Sequence, residues 1–173
     1  MNDLELLALR WLRFEKNCPI AMRERTPRYC TGQPDVLGIT KHRYLLEVEI
    51  KRSVSDFRAN EDKRHVKNRD IYISKWPKQF WFCVPADLAD RVMPLLPEYA
   101  GLLRAPRDDE RPIIHCVKHA PVNQASERLT IKEAAKLAHC MANHILSAEQ
   151  GIAELRNRMS YIAGNLWDPE YSI

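Results

Sequence analysis

One short segment, residues 44–51, constrains the fold of this chain more than any other. It reads Tyr-Leu-Leu-Glu-Val-Glu-Ile-Lys, so that apolar and charged side chains alternate. Side chains of a β-strand point alternately to the two faces of a sheet, so Glu47, Glu49 and Lys51 should share one face. The apolar residues between them should fill the core on the other face. The pattern therefore predicts a strand inside a sheet with three charges gathered on one side.

The same reasoning along the whole chain predicts an alternation of helices and strands. We predict helices at 3–16, from Asp56 to near 68–73, at 87–96 and at 130–163, and strands at 20–26, 36–39, 44–51, 79–84, 101–104 and 112–117. Ser53 or Ser55 is suited to cap the second of these helices. This order is typical of a mixed α/β sheet with helices on both faces. A doubly wound nucleotide-binding fold is not favoured, since no glycine-rich loop follows a strand.

Cysteine usage and hydropathy bear on the compartment. The five cysteines form no CxxC pair, and the first residues lack the features of a signal peptide. A zinc site drawn from Cys30, Cys83, His115 or Cys116 would need distant residues to converge and is the weaker interpretation. No apolar run reaches the roughly 18 residues of a membrane span. We expect a reduced, cytoplasmic protein without a membrane partner.

Positive charge is concentrated in one part of the chain. The net charge is +4, and residues 51–78 hold nine lysines and arginines against four acidic residues. Such a stretch is consistent with a surface that faces a polyanion. A solvated helix face explains the charge equally well.

The C-terminal part has a different pattern and suggests a division into 1–122 and 126–173. Two sets of apolar residues recur every seven positions: Ile131, Ala138, Ile145, Ile152 and Met159, and Ala134, Met141, Ala148, Leu155 and Ile162. This heptad pattern predicts a helix of ~32 residues, ~48 Å long, with a seam for another helix. The seam can pair with a second chain, which makes a homodimer the favoured interpretation, or fold back on the domain. Gly151 is a position where the helix can break.

Two acidic residues are placed to share a metal ion. Asp35 heads the predicted strand 36–39, and Glu49 lies on the next strand. Neighbouring antiparallel strands can bring both carboxylates together, and Mg²⁺ prefers such hard oxygen ligands. Mn²⁺ can substitute for it. The backbone carbonyl of Ile50 can supply another oxygen, and Glu47 is a further candidate ligand.

A lysine two residues beyond Glu49 completes this set. Phosphodiester hydrolysis needs a divalent cation, a positioned water and stabilisation of charge on the phosphoryl oxygens. The ammonium of Lys51 can orient the water or neutralise the phosphate. We therefore predict that Asp35, Glu49 and Lys51 are catalytic.

The pattern Pro34-Asp35 followed by Glu49-Ile-Lys51 resembles the PD-(D/E)XK nuclease superfamily. A helix precedes the motif, and a helix and a strand follow it, as in the αβββαβ core of that superfamily. The segments 49–60, 80–85 and 96–103 are similar to the MmcB-like DNA repair proteins within it, over about residues 20–118. Arg52 departs from that family's pattern, which has a small residue there.

This resemblance implies a restriction-endonuclease-like fold, a divalent metal and a DNA substrate. It predicts a metal-dependent DNA endonuclease, in DNA repair or in phage or mobile-element DNA processing. The alternative is a catalytically weak DNA-binding protein of the same fold. Candidate DNA contacts are Ser53, Arg52, Arg58, Lys63, Arg64 and Lys67. Glu5, Glu15 and Asp56 are weaker candidates for the site, with solvated or helix-capping roles as the alternative.

Overall fold

The computed structural model describes residues 4–23, 34–59 and 75–166, with side chains to residue 160. Its centre is a six-stranded sheet in which spatial order follows sequence order. The strands are β1 (Ile20–Arg23), β2 (Val36–Ile39), β3 (Leu45–Ile50), β4 (Gln79–Val84), β5 (Ala100–Arg104) and β6 (His115–Lys118). β3, β4 and β5 are mutually parallel, while β1, β2 and β6 each pair antiparallel with their neighbours. The predicted mixed α/β sheet is confirmed.

Four α-helices accompany the sheet in these residues: α1 (Leu4–Phe14), α2 (Val54–Ala59), α3 (Ala89–Val92) and α4 (Ile131–Leu166). α1 ends just before Asn17, which adopts the left-handed conformation with φ 51°. The region predicted as one helix, 87–96, is divided into a 3-10 turn, α3 and a second 3-10 turn. Pro94 lies at the start of the second turn, where it removes a backbone donor that a continuous α-helix would use.

Two predicted elements differ at their boundaries or extend past the described residues. β6 begins at His115 rather than at residue 112. Pro112 cannot donate to a strand ladder, and the amide of Ile113 donates to the carbonyl of Arg111 at 2.7 Å, so neither residue donates to β5. The end of the helix that α2 begins, expected near 68–73, lies outside the described residues, as do residues 24–26 of the first predicted strand.

Helices cover both faces of the sheet, as the order of elements predicts. On one face, Trp11 of α1 packs edge-on against Trp81 of β4, with ring centroids 5.1 Å apart. On the other face, Phe57 of α2 lies against Phe82 of β4, with centroids 4.6 Å apart. Because successive residues of β4 alternate between these two aromatic clusters, β4 is buried from both sides.

The start of α4 joins the same sheet. Leu129 and Leu137 are buried with Leu37 and Leu45 of β2 and β3. Thr130 caps the helix, since its hydroxyl accepts from the backbone amide of Glu133 at 3.2 Å while the Glu133 carboxylate accepts from the amide of Thr130 at 2.6 Å. This anchors the first turns of α4 to the core.

α4 then continues far beyond the sheet. The helix runs for 36 residues without interruption, so it does not break at Gly151, the position where the sequence would allow a break. A Cβ atom at Gly151 would meet nothing within 4 Å, so no packing requirement explains the glycine. Over the ranges that the structure describes, no helix is long and apolar enough to cross a membrane.

Candidate functional site

The hairpin of β2 and β3 brings the two predicted metal-binding carboxylates together. Val36 pairs with Val48 in the antiparallel register, and one further step places Asp35 directly opposite Glu49. Directly opposed residues of an antiparallel pair project from the same face of the sheet. The structure therefore puts Asp35 and Glu49 side by side, as the sequence predicts.

A hydrogen bond fixes the Asp35 side chain against the end of β3. Its Oδ2 atom accepts from the backbone amide of Ile50 at 2.7 Å. The amide and carbonyl of one strand residue point to the same neighbouring strand. The Ile50 carbonyl is therefore directed towards the Asp35 edge, where it was expected to act as an oxygen ligand.

The charged face of β3 is less open than the strand pattern alone suggests. Glu47, Glu49 and Lys51 do share one face, but their relative exposures are only 1%, 5% and 4%. In the register with β4, Glu47 lies beside Phe80 and Glu49 beside Phe82. Both faces of β3 are thus buried, and the acidic residues sit among aromatic side chains rather than on a solvent face.

Lys51 connects this face to the start of α2. Its ammonium lies 3.2 Å from Oε1 of Glu49 and 3.7 Å from Oδ1 of Asp56. The amide of Lys51 donates to the carbonyl of Cys83 at 2.9 Å, which holds the backbone in line with β4. The lysine is therefore positioned by both its backbone and its side chain, with its charge stabilised by two carboxylates.

Two of the predicted DNA contacts, Arg52 and Ser53, take part in local structure in the turn after Lys51. The Ser53 hydroxyl accepts from the amide of Asp56 at 3.0 Å, and the Asp56 carboxylate accepts from the amide of Arg52 at 3.0 Å. Ser53 is thus the N-cap of α2, which decides between the two serines expected there. The exposed Arg52 side chain forms an ion pair with Glu5 of α1 at 3.4 Å.

The remaining predicted DNA contacts fall into two groups. Arg58 is exposed on α2 and available to solvent. Lys63, Arg64 and Lys67 lie outside the described residues. Glu15, the other acidic candidate on the first helical segment, is exposed just beyond α1.

A cavity of about 640 Å³ opens at the carboxyl ends of the parallel strands β4 and β5. It is lined by Leu4, Arg52, Pro85, Ala86, Asp87, Asp90, Ala105, Pro106, Arg107 and Asp108. Arg52 belongs both to this cavity and to the turn that follows Lys51. No local motif marks its acidic residues, although ligands commonly bind at the carboxyl ends of parallel strands, which is a signal that points to them.

A second missed group surrounds Tyr44, at the opposite end of β3. The Lys78 ammonium lies 4.8 Å from the Tyr44 ring centroid, and the Arg128 guanidinium lies 5.4 Å from it. Arg128 also donates to the Tyr44 hydroxyl at 3.2 Å, and this bond lowers the pKa of the tyrosine. These residues are far apart in sequence, so no local pattern marks them.

The available oxygen ligands fit Mg²⁺ only if water and the substrate phosphate complete its coordination shell. Within the ranges described, no three His, Cys, Asp or Glu side chains lie close enough to hold a metal ion. Asp35, Glu49 and the Ile50 carbonyl instead match the mode in which Mg²⁺ takes one or two carboxylates and completes its shell with water and phosphate. Glu47 is on the same face, one strand period further from Asp35.

The zinc alternative gains no support from the cysteines. Burial raises the pKa of the Cys83 thiol to about 12, so this residue resists forming the thiolate that zinc binds. Burial also raises the pKa of Cys116. Cys30 lies outside the described residues.

Comparisons with known proteins bear on the fold alone. No family model matches the chain, and no curated protein matches it. A solved structure of a protein of unknown function from Silicibacter pomeroyi is similar, with a TM-score of 0.58 and 20% sequence identity. The similarity covers 88% of this chain and 90% of that one, so the two share an overall fold across nearly their whole length.

Proposed function

We propose that this protein is a Mg²⁺-dependent DNA endonuclease with a restriction-endonuclease-like core, related to the MmcB-like branch of the PD-(D/E)XK superfamily. The observation that carries the proposal is the position of Asp35 opposite Glu49, with Lys51 on the same face of β3. The two carboxylates can hold a divalent cation and the lysine can offset charge on the phosphoryl oxygens, which are tasks that metal-assisted phosphodiester cleavage needs.

Each residue has a distinct task in this mechanism. The Ile50 amide orients Asp35, so its carboxylate is already held in one rotamer beside Glu49. Lys51 is held beside Glu49 and Asp56, from where its ammonium can position the attacking water and offset charge on the phosphoryl oxygens. A bound Mg²⁺ would supply Lewis-acid activation of the phosphate.

DNA as the substrate is supported by exposed cations on the segment that follows Lys51. α2 begins three residues after Lys51 and carries the exposed Arg58, and Arg52 borders the cavity at the ends of β4 and β5. Lys78 and Arg128 around Tyr44 form a second cationic area, at the opposite end of β3. Phosphate contacts of this type orient a nucleic acid without reading its sequence.

The test is a cleavage assay on supercoiled and branched DNA with Mg²⁺ or Mn²⁺. Wild-type protein should nick these substrates, while Asp35→Asn and Lys51→Met should be inactive. Glu98→Gln, at an exposed position after the helical region that contains α3, is the matched control and should keep wild-type activity. Cleavage that persists in both site variants would rule out this assignment.

A second candidate function is DNA binding with little catalysis. It is favoured by one observation: Oε1 of Glu49, an expected metal ligand, is engaged by the Lys51 ammonium at 3.2 Å. This function predicts salt-dependent DNA binding that EDTA leaves unchanged and no cleavage by the wild type. Calorimetric titration with Mg²⁺ separates the two candidates, because only the nuclease requires that the Asp35→Asn change weaken metal binding.

A further inference from the structure

The second half of α4 presents an apolar stripe to solvent. Every residue from 145 to 160 except Gly151 is exposed, although the stripe contains Ile145, Ile152, Leu155 and Met159. The relative exposures of Ile152, Leu155 and Met159 are 50%, 61% and 69%. A helix without tertiary packing is marginal in water, so an apolar stripe of this regularity indicates a missing partner.

The stripe continues the positions that α4 uses against its own domain. Ala134 and Met141 pack against the buried cluster that includes Leu37 and Leu45. Seven and fourteen residues after Met141, the same heptad position holds Ala148 and Leu155, which are exposed. The seam is therefore covered at the start of the helix and uncovered beyond it, and its period of seven fits a partner helix rather than a sheet.

We propose that this exposed half of α4 pairs with α4 of a second copy of the chain in an antiparallel coiled coil. The inference does not depend on the nuclease proposal. A two-fold axis between residues 153 and 154 sets Ile152 against Leu155 of the partner subunit, and Ala148 against Met159 of the partner subunit. Each layer then joins side chains of complementary size, whereas a parallel pair would set Ala148 against the partner's Ala148 and leave a gap.

Charge at the flanks of the seam selects the same orientation. In an antiparallel coiled coil, the residue that follows Ala148 lies opposite the residue that follows Leu155 of the partner subunit. Glu149 therefore faces Arg156 of the partner subunit. The two-fold axis generates the same ion pair a second time, between Arg156 and Glu149 of the partner subunit. In a parallel pair Glu149 would instead face His144 of the partner subunit, and Arg156 would face Gly151 of the partner subunit. The antiparallel arrangement therefore uses both charges.

The first experiment measures the mass of the full-length protein in solution. Light scattering over a range of concentrations should give twice the 20.2 kDa chain mass for the wild type. Ile152→Asp and Leu155→Asp should each give the mass of one chain. Both side chains are exposed in the protomer, so these variants should still fold and unfold cooperatively, with a midpoint lowered only by the loss of dimer pairing. Gln150→Asp and Asn157→Asp, exposed and away from the seam, are the controls and should remain dimeric.

The second experiment tests the orientation. Glu149→Lys sets lysine against Arg156 of the partner subunit at both ends, and should raise the dimer dissociation constant by roughly five- to tenfold, as expected for two exposed ion pairs. Combining it with Arg156→Glu should restore wild-type affinity. A double variant weaker than the single one would overturn the antiparallel arrangement. A wild type of one chain mass at every concentration, or a dimer that survives Leu155→Asp, would overturn the pairing itself.

Discussion

Oδ2 of Asp35, the residue before β2, accepts a 2.7 Å hydrogen bond from the backbone amide of Ile50 at the end of β3. The bond lies where β2 begins and takes the place of a backbone ladder bond. A single side chain therefore both joins the two strands at the open end of the hairpin and stands opposite Glu49. Structural and proposed catalytic roles of Asp35 can be separated because only one of them needs charge.

We expect Asp35→Asn and Asp35→Ala to differ in stability but not in activity. The asparagine oxygen can still accept from Ile50, whereas alanine leaves a buried amide without its acceptor, at a cost of about 1–3 kcal/mol. Both variants lack the carboxylate, so both should lose Mg²⁺ affinity by at least the roughly tenfold seen when outer partners of metal ligands are removed. Chemical denaturation and calorimetric Mg²⁺ titration measure the two effects. Equal stability of both variants would argue against the hydrogen bond as a structural element.

Lys51 and Glu49 form a buried ion pair, so we expect their single variants to be more harmful than the double one. Lys51→Met leaves Glu49 buried without its 3.2 Å partner, which should destabilise the fold by about 3–5 kcal/mol. Glu49→Gln in the same chain removes that charge and should recover a large part of the loss. A double-mutant cycle by urea unfolding should give a coupling above roughly 0.5 kcal/mol. Additive losses would indicate that solvent screens the pair.

Much of the fold could be predicted because its signals are local. The run Gln79–Val84 is apolar and ends at Pro85, and the alternation in 44–51 contains β3. The hairpin also placed Asp35 and Glu49 together, since a short connection fixes the register of adjoining strands. Periodicity and chain length are sufficient for these features.

Other features depend on residues that are distant in sequence. The burial of Glu47 and Glu49 follows from the parallel register with β4, which no local pattern encodes. The ion pair between Arg52 and Glu5 joins positions 47 residues apart. Tyr44 gains its cationic neighbours from the residue before β4 and from the segment before α4. Local patterns therefore predict which residues form the candidate site but not the residues that surround it.

Two glycines should respond in opposite ways to alanine. A Cβ atom at Gly101 would lie 2.5 Å from Nε1 of Trp81 and 2.6 Å from the backbone nitrogen of Ala120, so Gly101→Ala should destabilise by about 1–3 kcal/mol or more. Gly151→Ala meets open space within α4 and should stabilise that helix by roughly 0.5–1 kcal/mol. Thermal unfolding and helicity by circular dichroism check both. A neutral Gly101→Ala would mean that Trp81 can move aside.

Acid should weaken the turn between β5 and β6 through Glu110. Its carboxylate accepts two bonds from the Arg104 guanidinium, at 2.6 and 2.9 Å, and one from the amide of Arg107. Arg104 is the main cause that lowers the pKa of Glu110 from its ordinary 4.5 to about 2. Because the folded-state pKa is the lower one, this contribution is complete above pH 4.5 and is lost as the pH falls towards 2.

Glu110→Gln should remove this pH dependence. The stability difference between wild type and variant, measured by urea unfolding, should be constant above pH 4.5 and shrink towards pH 2. Asp109→Asn, an exposed neighbour in the same turn, is the control for general acid effects. The Glu110 side-chain signal in an NMR titration should move well below the range of the other carboxylates. A Glu110 that titrates near 4.5 would show that Arg104 does not hold it in solution.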